Sequence, residues 1–317
     1  MQIILITGGT GLVGSAINLI STEYSDRFKF IFMSSRDCDL MNYEETKDYF
    51  DKARPDYVIH LAANVGGLFK NMNQKVSMLD TNLIINRNVL KCSHEIGVKK
   101  LISCLSTCIF PDKTTYPINE SMLHNGPPHT SNDAYAYAKR MLEIQSKTYQ
   151  EEFNNDFICI IPTNIYGPFD NFNLKDGHVI PALINKCLNA REKGEPFIVA
   201  GTGKPLRQFI YSEDLARLIM LVLTNYNDRE SIILSVNEED EVSIGEIANI
   251  IAEKFEYQDR LIFDTTGSDG QYKKTADNNK LIRFLEETGV VFEFTNIKEG
   301  IEKTVDWFIA NYDKARK

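Results

Sequence analysis

Five side chains in the first two thirds of the chain could do chemistry together: Ser106, Cys108, Tyr135, Lys139 and His178. Tyr135 and Lys139 stand four residues apart in AYAYAKR, a spacing that on a helix puts phenol and ammonium on one face, a turn apart. A phenol titrates near ~10 in water and an adjacent fixed cation favours the phenolate, so the pair reads as a proton carrier for a carbonyl oxygen near neutral pH. Tyr137 is the competing tyrosine, but its separation of two residues from Lys139 turns it to another side. Ser106, in LSTCIF, is suited to hydrogen-bond the same oxygen. The Cys108 thiol and the His178 imidazole, in DGHVIP, are groups that take and give protons at carbon. A lone thiol is more often a small buried hydrophobe and a lone histidine a structural residue; here it is their company that points to chemistry.

That company begins at the N-terminus. GGTGLVG places Gly8, Gly11 and Gly14 directly after the β-branched run Gln2 to Thr7 and before a helical stretch, with Gly9, Thr10, Leu12 and Val13 completing the loop. Glycines between a strand and a helix permit a tight turn and let backbone N–H groups approach a pyrophosphate, so the loop predicts a dinucleotide site, although its spacing is GxxGxxG rather than GxGxxG. Roughly 20 residues past such a loop the side chain at the end of the second strand selects the cofactor. Here SSRD supplies Arg36, which favours the 2′-phosphate of NADP(H), with Asp37 and Asp39 as the opposing signal. HLAANVGG, from His60 to Gly67, ends the third strand in small residues suited to a close-passing cofactor, and His60 itself reads as structural.

The elements that must position these groups alternate. Strand-like runs at Lys29 to Ser34, Tyr57 to Leu61, Lys100 to Leu105 and Phe157 to Pro162 are separated by helical stretches at Ser15 to Ser21, Tyr43 to Lys52, Ser77 to Ile96 and Ala134 to Phe153. This predicts an α/β fold, a Rossmann-type doubly wound parallel sheet, with Ser106 and Cys108 at the strand ends where such sheets bind ligands. Beyond Pro162 the rhythm loosens, and a smaller α/β substrate-binding C-terminal lobe is expected. The predicted division is 1–165 for the dinucleotide domain, with 206–232 returning to it, and 166–317 for the lobe.

At 317 residues and 43% hydrophobic content the chain can bury one large or two modest cores. A formal net charge of −9 argues against nucleic acid and anionic membranes as partners. No run approaches ~20 apolar residues, and Met1 leads straight into a strand-like segment rather than a leader, so a cytoplasmic protein is expected. The 6 cysteines form no CxxC pair and no metal-ligand spacing with the 5 histidines; neither disulfides nor a metal are expected.

GGTGLVG, LSTCIFPD, YAYAK, IPTNIYGPFDNFN, DGHVIP and GTGKPLRQFIYSEDLA together resemble the extended short-chain dehydrogenase/reductase family, and within it the dual-function branch that forms GDP-L-fucose. The resemblance spans nearly the whole chain, and STC, NIYGPFDNF and HVIPAL go beyond the general family fingerprint. It implies that GDP-4-keto-6-deoxy-D-mannose is epimerised at C3 and C5 and then reduced at C4 by NADPH. Cys108 would be the base, His178 the acid on the opposite face, and Ser106, Tyr135 and Lys139 the reductase triad. The implied cofactor contacts are the Gly8 to Gly14 loop, Arg36, Lys139, Pro162, Thr163, Asn164, Ile165 and His178. The implied substrate contacts are Lys186, Arg207 and Asp269, of which Arg207 also suits a diphosphate on chemical grounds. The resemblance further implies a homodimer packed through the helices Ser77 to Ile96 and Ala134 to Phe153. One departure stands out: Ala200 precedes GTGKP where the family usually has Trp. Competing readings are a single-function nucleotide-sugar 4-epimerase, a 4,6-dehydratase, or a non-catalytic NADP-sensing protein. A dehydratase would need carboxylates where Thr107 and Cys108 stand, and an intact Tyr135/Lys139 pair argues against the sensor.

Overall fold

In the computed structural model, which describes residues 1–266 and 272–317, QIILIT forms β1 (Gln2–Thr7) with aliphatic side chains on both faces. Ile4 and Ile6 point to one side and Leu5 to the other, and all three are fully buried, as a strand covered by helices on both sides requires. The alternation continues through α1 (Leu12–Ile20), β2 (Phe28–Met33), α2 (Tyr43–Ala53), β3 (Tyr57–His60), α3 (Leu68–Asn73), α4 (Lys75–Glu95), β4 (Lys100–Cys104), α5 (Asp133–Phe153) and β5 (Phe157–Pro162). Helix α1 starts three residues earlier than the predicted Ser15 because Gly14 belongs to its first turn: a Cβ there would stand 2.6 Å from the Gly8 carbonyl oxygen and the Gly9 Cα. The absent side chain lets the helix press against the loop. The short α3 follows the His60–Gly67 run and is not among the helices expected from the sequence.

The remainder of the chain forms β6 (Asn164–Tyr166), α6 (Val179–Lys193), β7 (Phe197–Ala200), β8 (Leu206–Arg207), β9 (Phe209–Tyr211), α7 (Ser212–Asn225), β10 (Ile232–Leu234), β11 (Val242–Ser243), α8 (Ile244–Lys254), β12 (Leu261–Asp264), α9 (Asn279–Thr288) and α10 (Ile297–Ala310). Local chemistry sets several ends. Ser243 and Glu246 close a reciprocal capping box at the start of α8, and Gly194 ends α6 in the left-handed conformation.

The central sheet has the order β2-β1-β3-β4-β5-β10, and every pair in it is parallel. This is the doubly wound sheet expected from the alternation. The order reverses between β1 and β3, which opens a crevice at their carboxyl ends. On one face, α1, α7 and α9 cover Ile4, Ile59, Ile102 and Ile158; on the other, α4 and α5 cover Leu5, Val58, Leu101 and Ile161. A third apolar cluster, with Phe172, Ile184, Phe197, Ile251 and Phe308, holds α6, α8 and α10 together. The strands β8 and β9 pair with β11 and β6, outside the main sheet, while α7 lies against α1 and β10 extends to Leu234 beside β5.

Candidate active site

A cleft of about 980 Å³ opens at the carboxyl ends of β1, β3, β4 and β5. Its walls bring together Ser106, Cys108, Tyr135, Lys139 and His178, which lie up to 72 positions apart in the chain. Gly8, Thr10, Gly11, Leu12, Val13 and Gly14 line one end, and Pro162, Thr163, Asn164 and Ile165 another side.

The glycine loop is shaped by what a side chain would hit. Gly8 has φ +69°, and a Cβ on it would approach the Ala62 amide nitrogen to 2.8 Å. Gly9 does not line the cleft; it packs on β2, where a Cβ would come within 2.7 Å of the Phe32 Cα, and its N–H donates to the Met33 carbonyl. Gly11 starts α1 with no side-chain cap, so the first N–H groups of the helix are left for an anion. This cradle fits the pyrophosphate of a dinucleotide.

Beneath it, His60 is a structural link. The Thr7 hydroxyl accepts from the Leu61 and Ala62 amides and gives its own hydrogen to His60 Nδ1 at 2.8 Å, so Nε2–H donates to Asn86 Oδ1 at 3.0 Å. Burial first, then the Lys139 charge, pushes the His60 pKa down to about 3, so the ring is neutral.

The reactive groups hang on two segments. Ser106 begins the single turn Thr107–Ile109 that follows β4, and its Oγ accepts from the Cys108 amide. Lys139, on α5, is 2% exposed and donates from Nζ to the Cys104 carbonyl at 2.7 Å. One position further, Arg140 Nε donates to the Ile109 carbonyl at 2.6 Å. The helix is thereby tied to both ends of the Ser106–Cys108 turn. Tyr135 shares the cleft with Lys139, and Tyr137 lies on the exposed side of α5.

One electrostatic expectation needs correction. The Lys139 ammonium was expected to draw the Tyr135 phenol toward the phenolate, but it sits 5.8 Å from the ring centroid and is committed to Cys104. Burial pushes Tyr135 well above its ordinary value and pushes Lys139 down. Tyr135 is therefore a protonated phenol, the form that donates. Burial also raises the Cys108 thiol; the charge of Lys274, then the Ser106 hydrogen bond and the charge of Lys139, oppose it.

Lys274 is not among the residues the sequence singles out. It lines the cleft beside Cys108 and, among the described residues, has no hydrogen-bond or ion-pair partner. Arg207 is close enough for its charge to bear on Lys274, but it does not line the cleft; Nη1 donates to the Leu206 and Tyr272 carbonyls. Lys186 stands on α6, outside the cleft wall, near Asp264, whose carboxyl is held low by Thr266 hydrogen bonds and then by the Lys186 charge. Asp269 lies outside the described residues. Arg36 is exposed just past the cleft-lining Ser34 and Ser35, with its amide donating to the Ser34 hydroxyl. Ala200 is exposed at the end of β7, and Trp307 is engaged elsewhere, against Phe169 and Phe172. His178 precedes α6 with Nδ1 4.0 Å from the buried Asp170 carboxyl.

Residues 4–237 match the NAD dependent epimerase/dehydratase family. Over 316 residues, 99% of this chain and 97% of the relative, the chain is 53% identical to a GDP-L-fucose synthase of Dictyostelium discoideum. It is 48% identical to a probable GDP-L-fucose synthase of Drosophila melanogaster, with both chains covered over their full length. A crystal structure of a GDP-L-fucose synthetase from Naegleria fowleri bound to NADP superposes with a TM-score of 0.94 at 50% identity, covering 100% of this chain and 95% of that one.

Because only the thiolate is alkylated and burial holds the Cys108 pKa up, its reaction with iodoacetamide should accelerate about tenfold per pH unit from about pH 6.5 to 8.5. The rate is read as the difference between the parent and Cys108→Ser. Lys274→Met should slow it several-fold across that window. A rate already flat at the acid end would contradict this account of the thiol.

Proposed function

The chain belongs to the NAD dependent epimerase/dehydratase family, and from that membership we propose that it acts as the GDP-L-fucose synthases it resembles do, converting GDP-4-keto-6-deoxy-D-mannose to GDP-L-fucose with NADP(H) as cofactor. The observation that carries this reading is the gathering of a thiol, an imidazole, a phenol, a hydroxyl and two ammonium groups around one cleft.

The C4 ketone acidifies C3 and C5 alike. Cys108, as thiolate, takes a proton from one of these carbons, and the electron pair moves onto the ketone oxygen, where the Tyr135 and Ser106 hydroxyls hold the enolate as an oxyanion hole would. His178 returns a proton to carbon from the opposite face, which inverts the centre. Solvent then takes the thiol proton and recharges the imidazole before the second carbon is treated. With both centres inverted, Tyr135 gives its proton to the C4 oxygen, and Lys139 keeps the phenol in place through α5. Bound NADPH supplies the hydride to C4. The residues that would hold it are the Gly8 to Gly14 loop for the pyrophosphate, Arg36 for the 2′-phosphate, and Lys139, Pro162 to Ile165 and His178 around the nicotinamide half. Arg207 and Lys186 would receive the GDP moiety together with Asp269, and Lys274, which has no partner among the described residues, adds a cation near Arg207.

In this reading residues 1–165 and 206–232 form the cofactor domain and 166–317 the substrate lobe. The packing of α7 on α1 and of β10 on β5 supports the return, and the burial of Leu281, Phe284 and Leu285 in the same core adds α9 to it. Free cysteines at all six positions suit a cytoplasmic setting. A homodimer through α4 and α5 is supported by exposed apolar side chains on that pair, Val76 and Ile84 on the first and Tyr137, Met141 and Ile144 on the second.

Three tests follow from these assignments. Cys108→Ser and His178→Gln should each cut solvent-deuterium uptake at C3 and C5 by about 100-fold or more, with a smaller effect on reduction of an already epimerised ketosugar, while Tyr135→Phe should chiefly block reduction; equal loss of both steps in all three variants would undo this division. Arg36→Ala should narrow the preference for NADPH over NADH, and an unchanged ratio of Kd values would remove Arg36 from the 2′-phosphate site. Light scattering should give a dimer for the parent and a monomer for Met141→Glu combined with Ile144→Glu; a monomeric parent would refute the helix-pair interface.

A further inference from the structure

Among the described residues three carboxylates border the cleft, Asp39, Asp170 and Asp176, and of these only Asp170 is buried. No step above uses it. Its side chain is 4% exposed, Oδ1 accepts the Asn171 amide at 2.7 Å, and Oδ2 is buried with no hydrogen-bond partner among the described residues. A carboxylate has about four acceptor sites, and burying one with a single donor is costly. The His178 imidazole stands beside the carboxylate, with Nδ1 4.0 Å from Oδ1, the oxygen that accepts the Asn171 amide and has a second lone pair to offer. That gap is longer than a hydrogen bond by less than an ångström, within reach of a small rotation of either side chain.

The surroundings fix the pair. The Phe169 carbonyl accepts from Arg316 Nη2 at 2.6 Å, the Phe172 amide donates to the Arg316 carbonyl at 2.7 Å, and Asn185 Nδ2 on α6 donates to the Phe172 carbonyl at 2.8 Å. Gly177 closes the connecting turn so tightly that a Cβ on it would come within 2.5 Å of the Asn171 and Asn173 carbonyl oxygens. The stretch from Asp170 to His178 is therefore a pinned loop with a carboxylate at one end and an imidazole at the other.

Resting on the reaction proposed above, we infer that Asp170 is a positioning residue for His178: its carboxylate takes the Nδ1–H, which turns Nε2 to the cleft and makes it the atom that delivers the proton to carbon. The N-terminus of α6 disfavours a positive imidazolium, and a carboxylate behind the ring offsets this. Burial pushes the Asp170 carboxyl up, against the charge of His178, the Asn171 amide and the charge of Arg316.

The test reads the tautomer of His178 by 15N NMR on protein carrying labelled histidine, with the signal assigned by its loss in His178→Gln. The parent should carry the proton of its neutral ring on Nδ1, and Asp170→Asn should move a large share of it to Nε2. In the same variant, deuterium uptake at the carbon protonated by His178 should fall roughly 10- to 100-fold, with C4 reduction of an epimerised ketosugar within about threefold of the parent. A parent ring protonated on Nε2, or an Asp170→Asn variant with tautomer and uptake unchanged, overturns the inference. Should Asp170→Asn fail to fold, the parent tautomer decides alone. That measurement needs no substrate, so it stands apart from any failure of the ketosugar reaction.

Discussion

The hydrogen bond from the buried Lys139 ammonium to the Cys104 carbonyl is the tie on which the site depends. A bond to a charged donor contributes about 1.5–3 kcal/mol, and here it also fixes geometry: it locks α5 to the end of β4, one turn after Tyr135 and two residues before Ser106. Arg140 repeats the tie at Ile109. Between these two anchors the Ser106–Cys108 turn has little freedom to move relative to the phenol. Lys139 thus acts in two ways, as a strut and as a fixed charge that helps keep His60 neutral beneath the cleft.

Burial sets the chemical character of every group around that strut. It pushes the Tyr135 phenol and the Cys108 thiol up and the Lys139 and Lys274 ammonium groups down. A protonated phenol is the right donor to a ketone oxygen, so burial favours the reduction. The same burial opposes the thiolate that the proposed epimerisation would use, and the cations Lys274 and Lys139 work against that burial. In a desolvated site such charges count for more than they would in water. In the proposed reaction one environment would serve both half-reactions, because the charges of Lys274 and Lys139 bear on the thiol that would act as base.

Much of the fold was legible because parallel strands buried on both faces write continuous aliphatic runs, as QIILIT and FICIIP do, and because the helices between them are long. The glycine loop could be read from steric need, and the shared face of Tyr135 and Lys139 from helical spacing. What spacing cannot carry is depth, so the phenolate expectation failed once Lys139 proved committed to a carbonyl. Lys274 was invisible for a different reason. It reaches the cleft through a ladder in which the Ile118 amide donates to the Thr275 carbonyl and the Asp277 amide to the Ile118 carbonyl, a contact between segments more than 150 residues apart. Asp170 looked like one more polar residue in an Asn-, Gly- and Pro-rich loop, and only its orphaned oxygen marks it out.

The central claim is that one ketone is both deprotonated beside and reduced at in this single cleft. Incubating the protein with GDP-4-keto-6-deoxy-D-mannose and NADPH in deuterium oxide, then identifying the sugar by NMR, tests it most directly. The account predicts GDP-L-fucose with deuterium at C3 and C5 and none at C4. An unepimerised 6-deoxyhexose with no deuterium on the ring would contradict it.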